Sequence, residues 1–130
     1  MNLAEIERNV DELDLSVGFG LLYDLLLAYG LPKASITRLQ KGSYDRSVND
    51  DERLWKGKVF YRFVEDPGTD LHAAIDAAKS DERIVRERPR FLIVRDADRL
   101  LAVDTRTETT LDIPLADLRA HAALFALGWD

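Results

Sequence analysis

The chain has 130 residues, a length that fits one domain, and its 46% hydrophobic and 32% charged residues are the mix of a globular protein rather than a disordered or fibrous one. With no cysteine it holds no disulfide framework, no thiolate nucleophile and no cysteine-ligated zinc. The net charge is −6, yet Pro32 to Arg62 carries eight Lys/Arg against four Asp/Glu, a basic segment in an otherwise strongly acidic chain.

Asn2 followed by Glu5 reads as a capping box, and Leu3, Ile6, Val10 and Leu13 then recur at helical spacing. Met1 to Asp14 has five acidic groups and no apolar run, so no signal peptide is expected. Ser16 to Tyr29 is a denser helix with little polar face, suited to the middle of a core or to the surface of a second domain. Its apolar part, Phe19 to Tyr29, is interrupted by Gly20 and Asp24 and is too short to span a bilayer, so a cytoplasmic protein without membrane contact is expected. Gly30 suits a left-handed helix cap, Pro32 the first turn of the next helix, and Gly42 the close of that helix. Ile36 and Leu39 fall on its inner side and leave Lys33, Ser35, Thr37, Arg38 and Lys41 outward.

Ser43 to Asp51 reads as a polar loop and Asp51 to Lys56 as one short helical turn. Lys58 to Val64 is rich in β-formers and predicts a strand ending at Asp66-Pro67-Gly68. Thr69 or Asp70 then caps a helix, Leu71 to Lys79, with Leu71, Ala74, Ile75 and Ala78 inward. The charged stretch Ser80 to Pro89 should lose its helix before Pro89. Arg90 to Arg95 and Leu100 to Asp104 predict a hairpin about Asp96-Ala97-Asp98, and Thr110 to Ile113 a further strand. Pro114 should open a last helix with Leu115, Leu118, Ala122 and Phe125 on one face. With no repeat or linker, residues 1–130 read as a single α+β domain, and the abrupt end at Trp129-Asp130 fits an N-terminal domain or fragment of a longer protein. The layout is N-terminal helices, a small mixed or antiparallel sheet of about four strands, a crossover helix and a C-terminal helix.

Two chemistries are open to these residues. Lys33, Ser35, Thr37, Arg38, Lys41, Arg46, Lys56, Lys58 and Arg62 are of the types that touch phosphates and base edges, so they form a candidate DNA surface. A strand, helix and hairpin with nearby carboxylates is also the outline of a Mg²⁺-dependent nuclease, in which two or three carboxylates hold the metal and a lysine orients water. The candidates for that role are Glu52, Glu65 and Asp66 with Lys56 or Lys58, although no lysine stands two residues after Glu65 or Asp66. His72 and His121 have no i, i+4 partner and read as structural, so no metal site is expected from histidine. No glycine-rich phosphate loop is present.

Three stretches carry a resemblance. They are Leu26 to Leu39, with its Ala28-Tyr29-Gly30-Leu31-Pro32-Lys33 centre; Leu54-Trp55-Lys56-Gly57-Lys58-Val59-Phe60; and the set Asp70 to Asp76, Pro89 to Val94, Leu100 to Thr105 and Thr110 to Pro114. In this order they resemble the N-terminal region of large type II restriction-modification DNA methyltransferases of the Eco57I-like, single-chain methylase/endonuclease class. The resemblance implies an accessory domain that contacts DNA or docks on the methylase core, in cis or in trans, with a degenerate restriction-nuclease-like fold. It places methyl transfer and S-adenosylmethionine in a downstream domain, since no Asn-Pro-Pro-Tyr-type tetrad is present here. Tyr29 to Gly42 also looks like the turn and recognition helix of Cro-type helix-turn-helix regulators, which would aim Ser35, Thr37, Arg38 and Lys41 at the major groove.

Overall fold

In the computed structural model, which describes residues 4, 5, 8, 9, 13 and 15–121, five strands form one mixed sheet in chain order. They are β1 (Glu52–Trp55), β2 (Val59–Phe63), β3 (Phe91–Arg95), β4 (Arg99–Asp104) and β5 (Thr110–Pro114). Neighbours run antiparallel except β2 and β3, which are parallel with Val59 opposite Phe91 and Phe63 opposite Arg95. A parallel pair needs a crossover, and helices α3 (Leu71–Ser80) and α4 (Glu82–Val85) supply it. Before the sheet come α1 (Gly20–Ala28) and α2 (Lys33–Gln40), and after it a 3-10 helix, Leu115–His121. The α+β class expected from the sequence is the class observed.

Both faces of the sheet are buried, which is why Phe91-Leu92-Ile93-Val94 and Leu100-Leu101-Ala102-Val103 read as unbroken apolar runs. Tyr61, Phe63, Phe91, Ile93, Leu100 and Ala102 share one core with α1 and α2. Phe60, Val64, Leu92, Val94, Leu101 and Val103 share the other with α3 and α4. The dense helix α1 therefore spends its apolar surface within its own domain: Leu21, Leu22, Leu25 and Leu26 are buried, and Leu27 is left exposed.

The junction between α1 and α2 follows from Gly30. The Gly30 N–H donates to Leu27 O at 3.0 Å and the Leu31 N–H to Leu26 O at 3.1 Å, the paired bonds of a Schellman cap. Gly30 has φ +88°, and Leu31 is buried in the same core as Leu26. Gly30→Ala should therefore lower stability by about 1–2 kcal/mol, the cost of a Cβ in the left-handed region, measurable by denaturant unfolding. At α3, Asp70 is the cap, its Oδ1 accepting from the His72 and Ala73 N–H groups at 3.0 and 3.2 Å.

The structure corrects several boundaries. Asp51 to Lys56 is not a helical turn but contains strand β1, so the sheet has five strands. Gly57, at φ +74°, folds β1 back onto β2, and the Lys58 N–H donates to Trp55 O at 3.0 Å. Four residues hold too little periodicity to separate strand from helix, and pairing with β2 decides. Helix α1 begins at Gly20 rather than Ser16, after Gly18 at φ +95°. Pro114 closes β5 instead of opening a helix, and the buried Leu115 and Leu118 sit one 3-10 turn apart. Ala4, Glu5, Arg8 and Asn9 are helical; the rest of the expected first helix, and Ala122, Phe125 and Trp129 of the last, lie outside the described residues. The Cro-type reading does not fit, because the helix pair packs on a sheet rather than in an all-helical bundle.

Candidate nucleic-acid interface

Helix α2 presents its basic side as the spacing predicts: Ile36 and Leu39 are buried, and Lys33, Arg38 and Lys41 are exposed. Ser35 and Thr37 are half-buried, and the Thr37 hydroxyl donates back to Lys33 O at 3.0 Å. That bond uses the hydroxyl proton within the helix, so Thr37 faces any outside group as an acceptor.

Beyond Gly42 the chain turns along the outer edge of β1. Asp45 bridges to Trp55, and the Arg46 N–H donates to Leu54 O at 2.7 Å. Asp45 Oδ1 accepts from the Ser47 and Leu54 N–H groups at 2.9 and 3.0 Å. Those bonds occupy the open edge of β1, which would otherwise invite another strand. They also place Tyr44 against Trp55, with ring centroids 5.7 Å apart and planes at 24°. Arg38 completes the column: its Nη1 donates to the Tyr44 hydroxyl at 2.9 Å, and its guanidinium lies 5.6 Å from the centre of that ring. The column ties α2 to the β1–β2 hairpin and borders Lys41, Arg46 and Lys56. Lys33, Lys41, Arg46 and Lys56 are exposed and have no ion-pair partner among the described residues, so this edge carries unneutralised positive charge.

Lys58 is half-buried and engaged, and Arg62 belongs elsewhere. Arg62 lies on the α3 side of β2, where its Nε donates to Asp51 Oδ2 at 2.9 Å. Sequence reading passed over Arg53, Tyr44 and Trp55 as site builders. Arg53 lies 3.8 Å over the Phe19 ring and donates to the Tyr23 hydroxyl at 3.2 Å, so it locks α1 to the sheet rather than facing outward. Two aromatics and an arginine scattered over Arg38 to Trp55 have no shared period, and only the edge pairing stacks them.

The carboxylate candidates are not gathered about a lysine. Glu52 pairs with Arg62 at one end of the β1–β2 hairpin, whereas Lys56 and Lys58 flank the turn at the other end. Four residues of strand separate Glu52 from Lys56, roughly 13 Å. Glu52 and Asp51 line an open cleft with Asn49, Asp50 and Arg62. Burial raises the Glu52 carboxyl above its usual range, opposed by a hydrogen bond with Asn49. Glu65 and Asp66 are exposed past the end of β2, and Asp66 Oδ1 accepts from the Gly68 N–H at 2.8 Å as part of the turn. Among the described residues no group of three or more His, Asp or Glu is placed to hold a metal ion.

His72 is exposed on α3 and meets Asp112 of β5, Nε2 to Oδ2, at 2.8 Å. Asp112 also accepts from Arg99 at 2.8 Å, and these two partners, Arg99 first, hold its carboxyl below the usual range. His121 is half-buried at the end of the 3-10 helix. Among the described residues no helix is long and apolar enough to cross a membrane.

Comparison with known proteins agrees with the resemblance drawn from the sequence. The family described as MmeI, N-terminal domain, matches residues 1–129. "DNA methyltransferase A" of Bacillus subtilis (strain 168) is 35% identical over 127 residues, a region that is 98% of this chain and 13% of the relative. The chain thus spans about an eighth of the length of that relative. No solved structure matches.

Proposed function

The chain belongs to the MmeI N-terminal domain family, and from that premise we propose that it is the accessory N-terminal domain of a restriction-modification DNA methyltransferase, contacting duplex DNA through the edge formed by α2 and the β1–β2 turn. The observation that carries this reading is the set of exposed cations without an ion-pair partner among the described residues, Lys33, Lys41, Arg46 and Lys56, around the Arg38–Tyr44–Trp55 column. Phosphate contacts of this kind set register on the duplex and carry no base sequence of their own. Methyl transfer, with S-adenosylmethionine, would take place in a methylase core outside this chain, and the domain itself would do no chemistry. Such a protein would work in the cytoplasm, where its DNA is.

Arg38→Ala combined with Lys41→Ala tests the surface, because Ile36 and Leu39 stay buried and the fold should survive. Fluorescence anisotropy with duplex DNA should show lower affinity. The slope of log affinity against log salt should shrink by roughly 0.9 for each phosphate contact removed. Unchanged affinity and slope would remove α2 from DNA contact. No binding at low salt by the parent chain would overturn the DNA reading altogether and favour docking on the methylase core.

A further inference from the structure

On the face of the sheet away from α2, a cavity of about 710 Å³ lies between the α3–α4 crossover and strands β3 and β4. Ile84, Leu92 and Val103 line it as apolar groups, and Lys79, Arg88 and Glu108 as charged ones. The volume is within the range of small-molecule sites, about 300–1,000 Å³.

The backbone singles out this cavity. Among the described residues two non-glycines adopt positive φ, Arg88 at 52° and Glu108 at 62°, and both line it. Each occupies a turn position that glycine fills without strain. Arg88 follows the end of α4, its N–H donating to Val85 O at 3.1 Å, and Glu108 ends the β4–β5 turn, its N–H donating to Asp104 O at 2.8 Å. The chain keeps two long charged side chains at these positions, and neither has a hydrogen bond or ion pair among the described residues. The fold bears the strain of both residues without using their charges.

The turns are also held rigidly. The Thr105 hydroxyl donates to Pro89 O at 2.9 Å, joining one turn to the other. The Gly57 N–H donates to Glu87 O at 2.8 Å, and Arg90 grips Asp104 through bonds of 2.6 and 2.7 Å. These bonds fix where the backbone presents Arg88 and Glu108, so binding needs to order their side chains but not the turns.

The geometry points to a binding site for an amphipathic anion, no larger than about a nucleotide, that also presents an amino group. Its apolar body would lie on Val85, which is 54% exposed, above the buried Ile84, Leu92 and Val103, its phosphate or carboxylate on Arg88 and Lys79, and its N–H on Glu108. Lys79 also stands 3.8 Å from Asp76, so Arg88 is the stronger anion partner of the two.

Isothermal titration of the 130-residue chain with adenosine monophosphate and, separately, with 4-aminobenzoate tests the assignment. At least one should bind saturably with Kd below about 1 mM. Binding of the nucleotide alone identifies a nucleotide site, and binding of 4-aminobenzoate alone an aryl carboxylate site. Arg88→Gly should weaken binding about tenfold or more. If the nucleotide binds, inosine monophosphate, with a carbonyl in place of the amino group, should bind about tenfold more weakly, and Glu108→Gly should abolish that gap. Both glycine variants should melt no lower than the parent, and up to about 4 °C higher. The proposal is overturned if neither compound binds, if binding is indifferent to Arg88→Gly and Glu108→Gly, or if both variants lose several degrees of Tm, which would assign these side chains to the fold.

Discussion

Asp104→Ala is expected to destabilise the domain by about 3–5 kcal/mol, the range for removing one partner of a buried ion pair. Asp104 is 3% exposed at the end of β4. Its two oxygens accept from Arg90 Nε and Nη2 at 2.6 and 2.7 Å, and Oδ1 also accepts from the Arg106 N–H at 2.9 Å. Without the carboxylate, the mostly buried Arg90 guanidinium and a turn N–H are left without their acceptor. The hydrogen bonds from Arg90, followed by those from the Arg106 and Thr107 N–H groups, hold the carboxyl down to about 2. An unfolded aspartate titrates near 3.9, so its charged form favours the folded state. A depressed folded pKa gives stability that is fully present above about pH 4 and is lost as the pH falls through 2. Urea unfolding of parent and variant at pH 7 and pH 3 checks both parts: a large gap should open at pH 7 and narrow at pH 3. A gap below about 1 kcal/mol at pH 7 would show that this pair is replaceable.

Leu39→Ala should be the costliest single change in α2, at about 2–5 kcal/mol. Leu39 is fully buried in the core shared with α1, Phe91 and Leu100, whereas its neighbour Arg38 is exposed and bonded to Tyr44. Arg38→Ala loses one exposed hydrogen bond and one ring contact and should cost about 1 kcal/mol or less. Adjacent residues on one short helix thus divide the work, Leu39 holding the helix on the sheet and Arg38 facing outward. Thermal melts of the two single variants should separate by several degrees, with Leu39→Ala the lower. Equal melting temperatures would mean that α2 adds little to the core, and the basic surface it carries would then be a loosely held segment.

Much of the frame was legible before any coordinates, for local reasons. Gly30 and Gly42 mark helix ends because few other residues take positive φ, and both do so here. Asp70 caps α3 because a short carboxylate reaches the free N–H groups of a first helical turn. The runs that became β3 and β4 meet at Asp96-Ala97-Asp98 and read as a hairpin, and the order of helices and strands read as an α+β domain with a crossover helix. The basic character of α2 and the inward set of Ile36 and Leu39 needed nothing beyond the helical period.

What sequence could not show depends on groups distant along the chain. Four residues of β1 have no periodicity of their own, and pairing with β2 made them a strand. Arg95 ends a strand with nothing in the sequence to mark it as inside, yet it is fully buried, donating to Asp96 O at 2.9 Å and to Ser16 O at 3.0 Å, the second acceptor 79 residues away. The cations of the basic segment were counted together but are sorted by the pleat, which sends Arg53 onto α1 and Arg62 to the opposite face beside Asp51, leaving Lys33, Arg38, Lys41, Arg46 and Lys56 facing outward. Glu52 and Lys56 are four apart in sequence, close enough to meet on a helix, and the hairpin holds them at opposite ends. Composition and period determined which residues are inside and which segment is basic; strand pairing decided which charges share a surface, because a sheet alternates its side chains between two faces and a helix turns them around one axis.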